Sequence, residues 1–154
     1  MIFMKKIAYF SNDIAISMPE TEYIDGTINV IRMPTLDASL VVSRGLLDEG
    51  ETLESSIDLQ MARLDKQVKN LHYTGKQPVM VGRQRDIAGF EMHSRYIRGE
   101  ALVYQYQLGL LAPGTRLMVA LGYSCAHEPV ETDIAYWETV KASIWFPEYE
   151  RSAN

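Results

Sequence analysis

The 154-residue sequence predicts an α+β protein in which helices pack against one twisted antiparallel β-sheet. Three observations support this class. Short apolar runs are bounded by proline and glycine, one long segment has helical periodicity, and several strand-like runs then follow one another with short turns. Strands joined by short turns pair antiparallel without a crossover. No repeat, low-complexity tract or linker divides the chain, so residues 1–154 are expected to form a single domain.

The first strands are expected where short runs of β-type residues lie between turn residues. Pro19, Gly26 and Pro34 separate these runs. The predicted strands cover residues 14–17, 27–32 and 38–44.

The first helix is predicted from its hydrophobic periodicity. Thr52 is expected to be the N-cap, Glu54 lies in the first turn, and the helix should end near Asn70 and Gly75. The apolar positions recur at spacings of three and four residues: Leu53, Ile57, Met61, Leu64, Val68 and Leu71. Gln60 lies within this stripe, where a buried amide requires an internal hydrogen bond or a ligand.

The second half is expected to be a β-meander that is followed by an amphipathic helix. The turn signals "AG", "RGE" and "APGT" separate its strands. The predicted elements are strands over 78–83, 87–98, 101–111 and 115–125 and a helix over about 130–146. Glu91, His93 and Arg95 alternate along one strand, and we interpret this polar row as a solvated sheet edge.

The two faces of the predicted sheet differ in character. Because side chains alternate along a strand, Leu102, Tyr104 and Leu108 should face the core while their neighbours face the other way. The second face then gathers small, apolar, hydroxyl and amide side chains: Ile28, Val30, Ser39, Val41, Ser43, Val103, Gln105, Gln107, Met118 and Ala120. Scattered apolar residues on a solvated face are one explanation. The near absence of charge favours another, a surface for an apolar partner whose polar groups also need hydrogen bonds.

Composition excludes several classes of partner. The chain has 15 basic and 20 acidic residues, a net charge of -5 and a pI near 5.2, so it lacks a positive footprint for nucleic acid or an anionic membrane. The apolar run "IAYF" near the N-terminus is too short for a signal peptide or a membrane span. The single Cys125 forms no internal disulfide. We therefore expect a cytoplasmic protein that does not insert into membranes.

The titratable residues do not form a recognisable catalytic or metal-binding pattern. His72, His93 and His127 lie far apart, without the spacing of a metal motif, and the glycines form no phosphate-binding loop. Cys125 and His127 are an i, i+2 pair that resembles a thiolate and its base, but no third orienting group is identifiable. The sequence thus predicts no enzyme, no catalytic residue, no metal site and no cofactor.

The order of several sequence blocks resembles a known family. The blocks "INVIRMP", "ASLVVSRG", "LESSIDLQMARLDKQVKNLH" and "VYQYQLG" are similar to those of the DcrB-related family and, within it, the Eag chaperones of type VI secretion systems. The resemblance covers about residues 11–147. It implies a Mog1/PsbP-like fold and a homodimer that holds the N-terminal transmembrane helices of an effector with a PAAR domain. The implied client-binding residues are Ile28, Val30, Ser39, Val41, Ser43, Gln60, Val68, Gln105 and Gln107.

Two further functions fit parts of the same sequence. A carrier of lipid or of a small hydrophobic ligand would use the same uncharged sheet face. An enzyme would instead depend on Cys125 and His127. The first two hypotheses share one surface and the third uses another, so a captured client, an extractable ligand or an effect of Cys125→Ala would distinguish them.

Overall fold

The computed structural model describes residues 8–10, 15–17, 21–22 and 25–146. In chain order the strands are β1 (Ala8–Phe10), β2 (Ala15–Ser17), β3 (Asn29–Met33), β4 (Ala38–Leu46), β5 (Lys69–Tyr73), β6 (Gln77–Val81), β7 (Ile87–Arg98), β8 (Ala101–Leu111) and β9 (Leu117–Cys125). The helices are α1 (Leu53–Gln67), between β4 and β5, and α2 (Glu131–Ser143), after β9. A 3-10 turn, Pro34–Leu36, joins β3 to β4.

The main sheet has seven antiparallel strands in the order β3-β4-β9-β8-β7-β5, with β6 also paired to β7. Strands β1 and β2 pair separately. The long strand β7 carries β5 along one half and β6 along the other. The predicted α+β class is confirmed, and so is the meander from β6 to β9.

Each helix packs on a different face of this sheet. The α2 face holds the cluster Ala38, Leu40, Val81, Leu108, Leu110, Leu121, Tyr123, Cys125 and Trp137. The α1 face holds the smaller cluster Leu47, Ile57, Met61, Met92 and Met118. Because the two clusters use alternate residues of the same strands, the inner strands of the sheet carry apolar side chains on both faces.

Local sequence explains how α1 begins and how closely it approaches the sheet. Thr52 is the N-cap as predicted: its side chain accepts a bond from the Ser55 backbone N–H, and the Ser55 hydroxyl accepts from the Thr52 N–H. Ile57 is buried against Gly109, where an added Cβ would lie 2.9 Å from Ile57 Cδ1. Glycine at this strand position therefore lets the helix lie close to the sheet.

The structure corrects the predicted end of the first helix. The helix ends at Gln67, and Asn70 adopts a positive φ of 55°. Leu71, assigned to the helical stripe, lies instead in β5, which pairs with β7. The helical spacing continued by chance into a strand, whereas the backbone is already extended at the C-cap Val68, with φ of -126° and ψ of 170°.

Other predicted bounds differ in smaller ways. The strand predicted over 14–17 is β2, and residue 14 lies outside the described residues. The last helix is shorter than predicted, and two of its expected apolar contacts, Val130 and Ile134, are exposed. Trp137 is the buried anchor of this helix. Tyr136 and Val140 of the same helix are partly buried and pack against the same core cluster.

The interpretation of Glu91 as part of a solvated edge is wrong, because β5 and β6 flank β7. Glu91 is buried and accepts bonds from Trp137 Nε1 at 2.8 Å and from Lys141 Nζ at 2.7 Å. Its other contact is His93 Nε2 at 2.9 Å. Burial alone would raise the pKa of Glu91, but the bonds from His93, Lys141 and Trp137 lower it from 4.5 to about 2. The hydrogen bonds of this carboxylate to Trp137 and Lys141 connect α2 to the sheet.

Candidate functional site

A groove lies on the α1 face of the sheet, between helix α1 and strands β4, β9 and β8. Its cavity has a volume of about 160 Å³. The lining residues are Val41, Ser43, Ile57, Gln60, Met61, Met92, Gln105, Gln107, Leu108, Gly109, Met118, Ala120, Leu121 and Gly122. We call this feature the α1 groove. None of these described lining residues carries a charge.

Five of the predicted client-binding residues meet in the α1 groove. They are Val41, Ser43, Gln60, Gln105 and Gln107. Their convergence follows from register, since Val41 of β4 pairs with Gly122 of β9, and Gly122 pairs with Gln107 of β8. Residues of three neighbouring strands thus come within one groove.

The remaining four predicted residues lie outside the lining of the groove. Val30 pairs with Val41 and is 57% exposed, and Ile28, just before β3, is 64% exposed. Ser39 borders a different cavity of about 350 Å³. Val68 is the half-buried C-cap of α1. Val30 extends the apolar surface from the groove toward the β3 edge, whereas Val68 acts in ending the helix.

The amides of the groove differ in how well they are satisfied. Gln105 Oε1 accepts a hydrogen bond from the Tyr96 hydroxyl at 3.2 Å. Gln60 Nε2 donates weakly to Met118 Sδ at 3.8 Å. Gln107 Oε1 is buried and has no hydrogen-bond partner among the described residues, and the same holds for the Ser94 hydroxyl on the neighbouring strand. The groove therefore contains unmet hydrogen-bonding capacity.

A glycine leaves room for one of these amides. An added Cβ at Gly122 would lie 2.9 Å from Gln105 Nε2. The Gln105 side chain thus lies across the backbone of β9 at a position where a larger residue would displace it. The alternation of side chains could not reveal this role, because glycine has none to place on a face.

Three methionines supply much of the apolar lining. Met61 comes from α1, Met92 from β7 and Met118 from β9. The alternation of β9 predicts Met118 on this face, but Met61 was expected only as core and Met92 was not assigned. Thioether side chains are flexible and polarisable, and they line protein surfaces that adapt to varied partners.

Helix α1 covers part of the uncharged sheet face that the alternation of side chains predicts. Ile57 and Met61 are buried against the sheet. The uncovered part runs from the groove to the edge strand β3. The predicted uncharged face is therefore only partly exposed: the surface is a groove with one helical wall.

The alternative site at Cys125 and His127 lies on the opposite face of the sheet. Cys125 Sγ donates to the backbone oxygen of His127 at 3.2 Å, and His127 Nε2 lies 3.0 Å from Asp133 Oδ2. Burial raises the pKa of the Cys125 thiol to about 11, with the Asp133 charge adding to the effect. A thiol that stays protonated at neutral pH is a poor nucleophile.

Comparison with known proteins gives a family model and a fold. The model of the DcrB family matches residues 15–143. A crystal structure of PA94, a protein of unknown function from Pseudomonas aeruginosa, superposes with a TM-score of 0.68 at 13% identity, covering 90% of this chain and 95% of that chain. At this identity the likeness extends to the fold alone. No curated protein sequence matches the chain.

Among the described residues, neither α1, with 15 residues, nor α2, with 13, could span a lipid bilayer.

Proposed function

Because the chain belongs to the DcrB family, we propose that it is a cytoplasmic chaperone that shields the N-terminal transmembrane helices of a type VI secretion effector. The effector would carry a PAAR domain, and the chaperone would hold its helices until export. The α1 groove and the adjoining strand β3 would form the client-binding surface. No nucleotide or metal is needed for this function.

The chemistry of the groove suits such a client. A transmembrane helix satisfies its own backbone hydrogen bonds but exposes apolar side chains and, on its packing face, small polar ones. The groove offers valine and methionine side chains together with amides and hydroxyls, and no charged residue among the described lining. A charged wall would cost desolvation energy against such a helix, and this surface avoids that cost.

One observation carries the proposal. Gln107 Oε1 is buried in an uncharged groove without a partner among the described residues. An unsatisfied buried acceptor costs roughly 1–3 kcal/mol. A client that presents a hydroxyl or another donor at this point would remove that cost on binding.

The exposed apolar residues beside the groove would make a larger contribution to the free energy of binding. Ile28 and Val30 are more than half exposed in the free chain. Covering each by a client helix would contribute about 1–2 kcal/mol, since full burial of such side chains is worth roughly 1.5–3 kcal/mol. Affinity and polar matching thus come from adjacent parts of one surface.

The size of the α1 groove argues against its use as an enclosed pocket for a small ligand. Pockets that enclose a small molecule usually have volumes of roughly 300–1,000 Å³. The α1 groove has about 160 Å³, too little to enclose a lipid chain. A groove of this volume can instead receive a few side chains of a helix that lies across it.

Co-expression with an effector's apolar N-terminal segment tests the proposal. The wild-type chain should keep this segment soluble and copurify with it. Val30→Asp should lower recovery at least tenfold, because a charge would face the client. Met80→Asp is the matched control, since Met80 is a strand residue with similar exposure, 55% against 57%, but lies in β6, which pairs with β7 and not with the strands beside β3.

Equal recovery with both aspartate variants would contradict the proposed surface. Extraction of a stoichiometric lipid from the purified wild-type chain would favour the carrier instead. The homodimer that the family resemblance implies is part of the proposal, and sedimentation equilibrium of the free chain would show a mass twice that of the 17.5 kDa protomer.

A further inference from the structure

A cluster of potential metal ligands lies at the start of α2, outside the α1 groove. Cys125 ends strand β9, His127 lies in the loop that follows, and Asp133 is in the first turn of α2. Cys125 Sγ, a ring nitrogen of His127 and a carboxylate oxygen of Asp133 all lie within 4.8 Å of one another. Cys125 and Asp133 are buried, and His127 is half-buried.

We infer that Cys125, His127 and Asp133 form a binding site for Zn²⁺ or a chemically similar divalent cation. A thiolate, an imidazole and a carboxylate are the donor types that zinc uses in proteins. His127 Nε2 and Asp133 Oδ2 are 3.0 Å apart, close to the separation of about 3.3 Å for two such ligands on a tetrahedral ion. A shift of about 1 Å by the thiol would complete the three-ligand set.

The carboxylate ligand is already oriented by the fold. The buried Tyr123 hydroxyl donates to Asp133 Oδ1, and the Val130 backbone N–H donates to Oδ2 at 2.9 Å. These bonds hold the carboxylate without using all of its lone pairs. Partners of this kind keep metal ligands in place and commonly contribute tenfold or more to affinity.

The imidazole has a second carboxylate on its other side. His127 Nδ1 lies 4.0 Å from Asp37 Oδ2, and the Asp37 side chain is largely exposed. Metal-bound histidines usually direct their second ring nitrogen to such a group, which fixes the tautomer. Asp37 and Cys125 also line the cavity of about 350 Å³, which gives a cation a route from solvent to the thiol.

The geometry favours a metal site over a catalytic triad. In a triad, the base must face the nucleophile. Here His127 Nε2 contacts Asp133, its Nδ1 faces Asp37, and the Cys125 thiol donates to a backbone oxygen. All three side chains can nevertheless point toward a common centre, and a cation there would tie the end of β9 to the start of α2.

Cobalt titration of the full-length, chelator-treated chain tests this inference. Co²⁺ reports on its ligands by colour, and we expect one equivalent to produce a thiolate-to-metal charge-transfer band and the strong visible bands of tetrahedral coordination. Added Zn²⁺ should abolish both. Cys125→Ser should remove the charge-transfer band, and His127→Gln should weaken binding at least tenfold.

Two further variants keep the test independent of folding. Asp37→Asn changes an exposed residue with a positive φ of 51°, a conformation that asparagine tolerates, and should weaken Co²⁺ binding about tenfold. His72→Gln alters an exposed histidine elsewhere and should bind Co²⁺ like wild type. Absence of the thiolate band in the wild-type chain, or equal binding by His127→Gln and His72→Gln, would overturn the inference.

Discussion

Replacing Gln107 by methionine should stabilise the protein while it weakens client binding. Gln107 Oε1 is buried in the α1 groove and accepts no hydrogen bond from the described residues. Methionine has a similar length and shape but no amide, so Gln107→Met removes the unsatisfied acceptor and leaves the volume nearly unchanged. The substitution thus isolates the polar contribution of one side chain.

The magnitude follows from the cost of an unsatisfied acceptor. Leaving a buried polar group unpaired costs about 1–3 kcal/mol, so we expect the free energy of unfolding to rise by about 1–2 kcal/mol. For a chain of 154 residues this corresponds to an increase in Tm of about 2–8 °C. If the amide oxygen bonds a client in the complex, the same variant should bind that client roughly two- to tenfold more weakly.

Urea denaturation followed by circular dichroism measures the first effect, and titration of a detergent-solubilised client segment measures the second. Gln105→Met is the matched comparison, because Gln105 Oε1 accepts from the Tyr96 hydroxyl at 3.2 Å. That variant leaves the buried hydroxyl of Tyr96 unpaired and should lose about 1–3 kcal/mol. Two neighbouring glutamines on one strand should therefore shift stability in opposite directions.

A loss of stability in Gln107→Met similar to that in Gln105→Met would refute the reasoning. It would mean that the Gln107 amide is already satisfied in the free chain. The groove would then have no polar requirement for a client to meet. A gain of stability with unchanged client affinity would separate the two effects and remove the role of Gln107 in binding.

Three further predictions concern the groove, the buried carboxylate and the cap. Gly122→Ala should lower client recovery severalfold in the co-expression assay, because its Cβ would displace Gln105, whereas Gly45→Ala, with nothing within 4 Å, should not. The pKa of Glu91 is about 2 in the folded chain and 4.5 in the unfolded chain, so its ionisation should contribute about 3 kcal/mol to the free energy of unfolding. This contribution is present above pH 4.5 and is lost as the pH falls toward 2. Glu91→Gln should therefore reduce the loss of stability at acid pH, as measured by urea titration. Thr52→Ala should cost about 1 kcal/mol in the same measurement through loss of the α1 cap.

Each of these predictions has a contradicting result. Equal client recovery by both alanine variants would mean that Gln105 does not need the space above Gly122. If the stability of Glu91→Gln falls at acid pH as steeply as that of the wild type, other carboxylates cause the loss of stability. Full stability of Thr52→Ala would show that the exposed cap contributes nothing measurable.

Alternation along strands correctly predicted which residues share a face of the sheet. Val41, Gln105 and Gln107 do lie on one side of the sheet because the period of a strand is fixed by its backbone. The position of α1 was not predictable in the same way. Periodicity shows that Ile57 and Met61 are buried, but it does not show which face of the sheet they pack against. The sequence therefore did not predict that α1 forms one wall of the groove.

The cluster at Asp133 shows a second limit. Cys125 and His127 are close in sequence, and their pairing was visible, but the third group was not. Asp133 reaches them because the chain turns from β9 into α2, and its carboxylate also satisfies the Val130 N–H at the start of the helix. An acidic residue in the first turn of a helix is so common that it gives no signal of further ligation.

Buried polar groups are hydrogen-bonded to different extents on the two faces of the sheet. This contrast supports a binding role for the α1 face. On the α2 face, Glu91 contacts three donors, and Asp133 contacts Tyr123, Val130 and His127. On the α1 face, Gln107 Oε1 is left without a partner among the described residues. Carboxylates are costlier to bury than amides, and the fold provides hydrogen-bond partners for both of these carboxylates. The same fold could therefore provide a partner for a buried amide. The unmet acceptor is therefore what the proposed function would require of a client-binding surface.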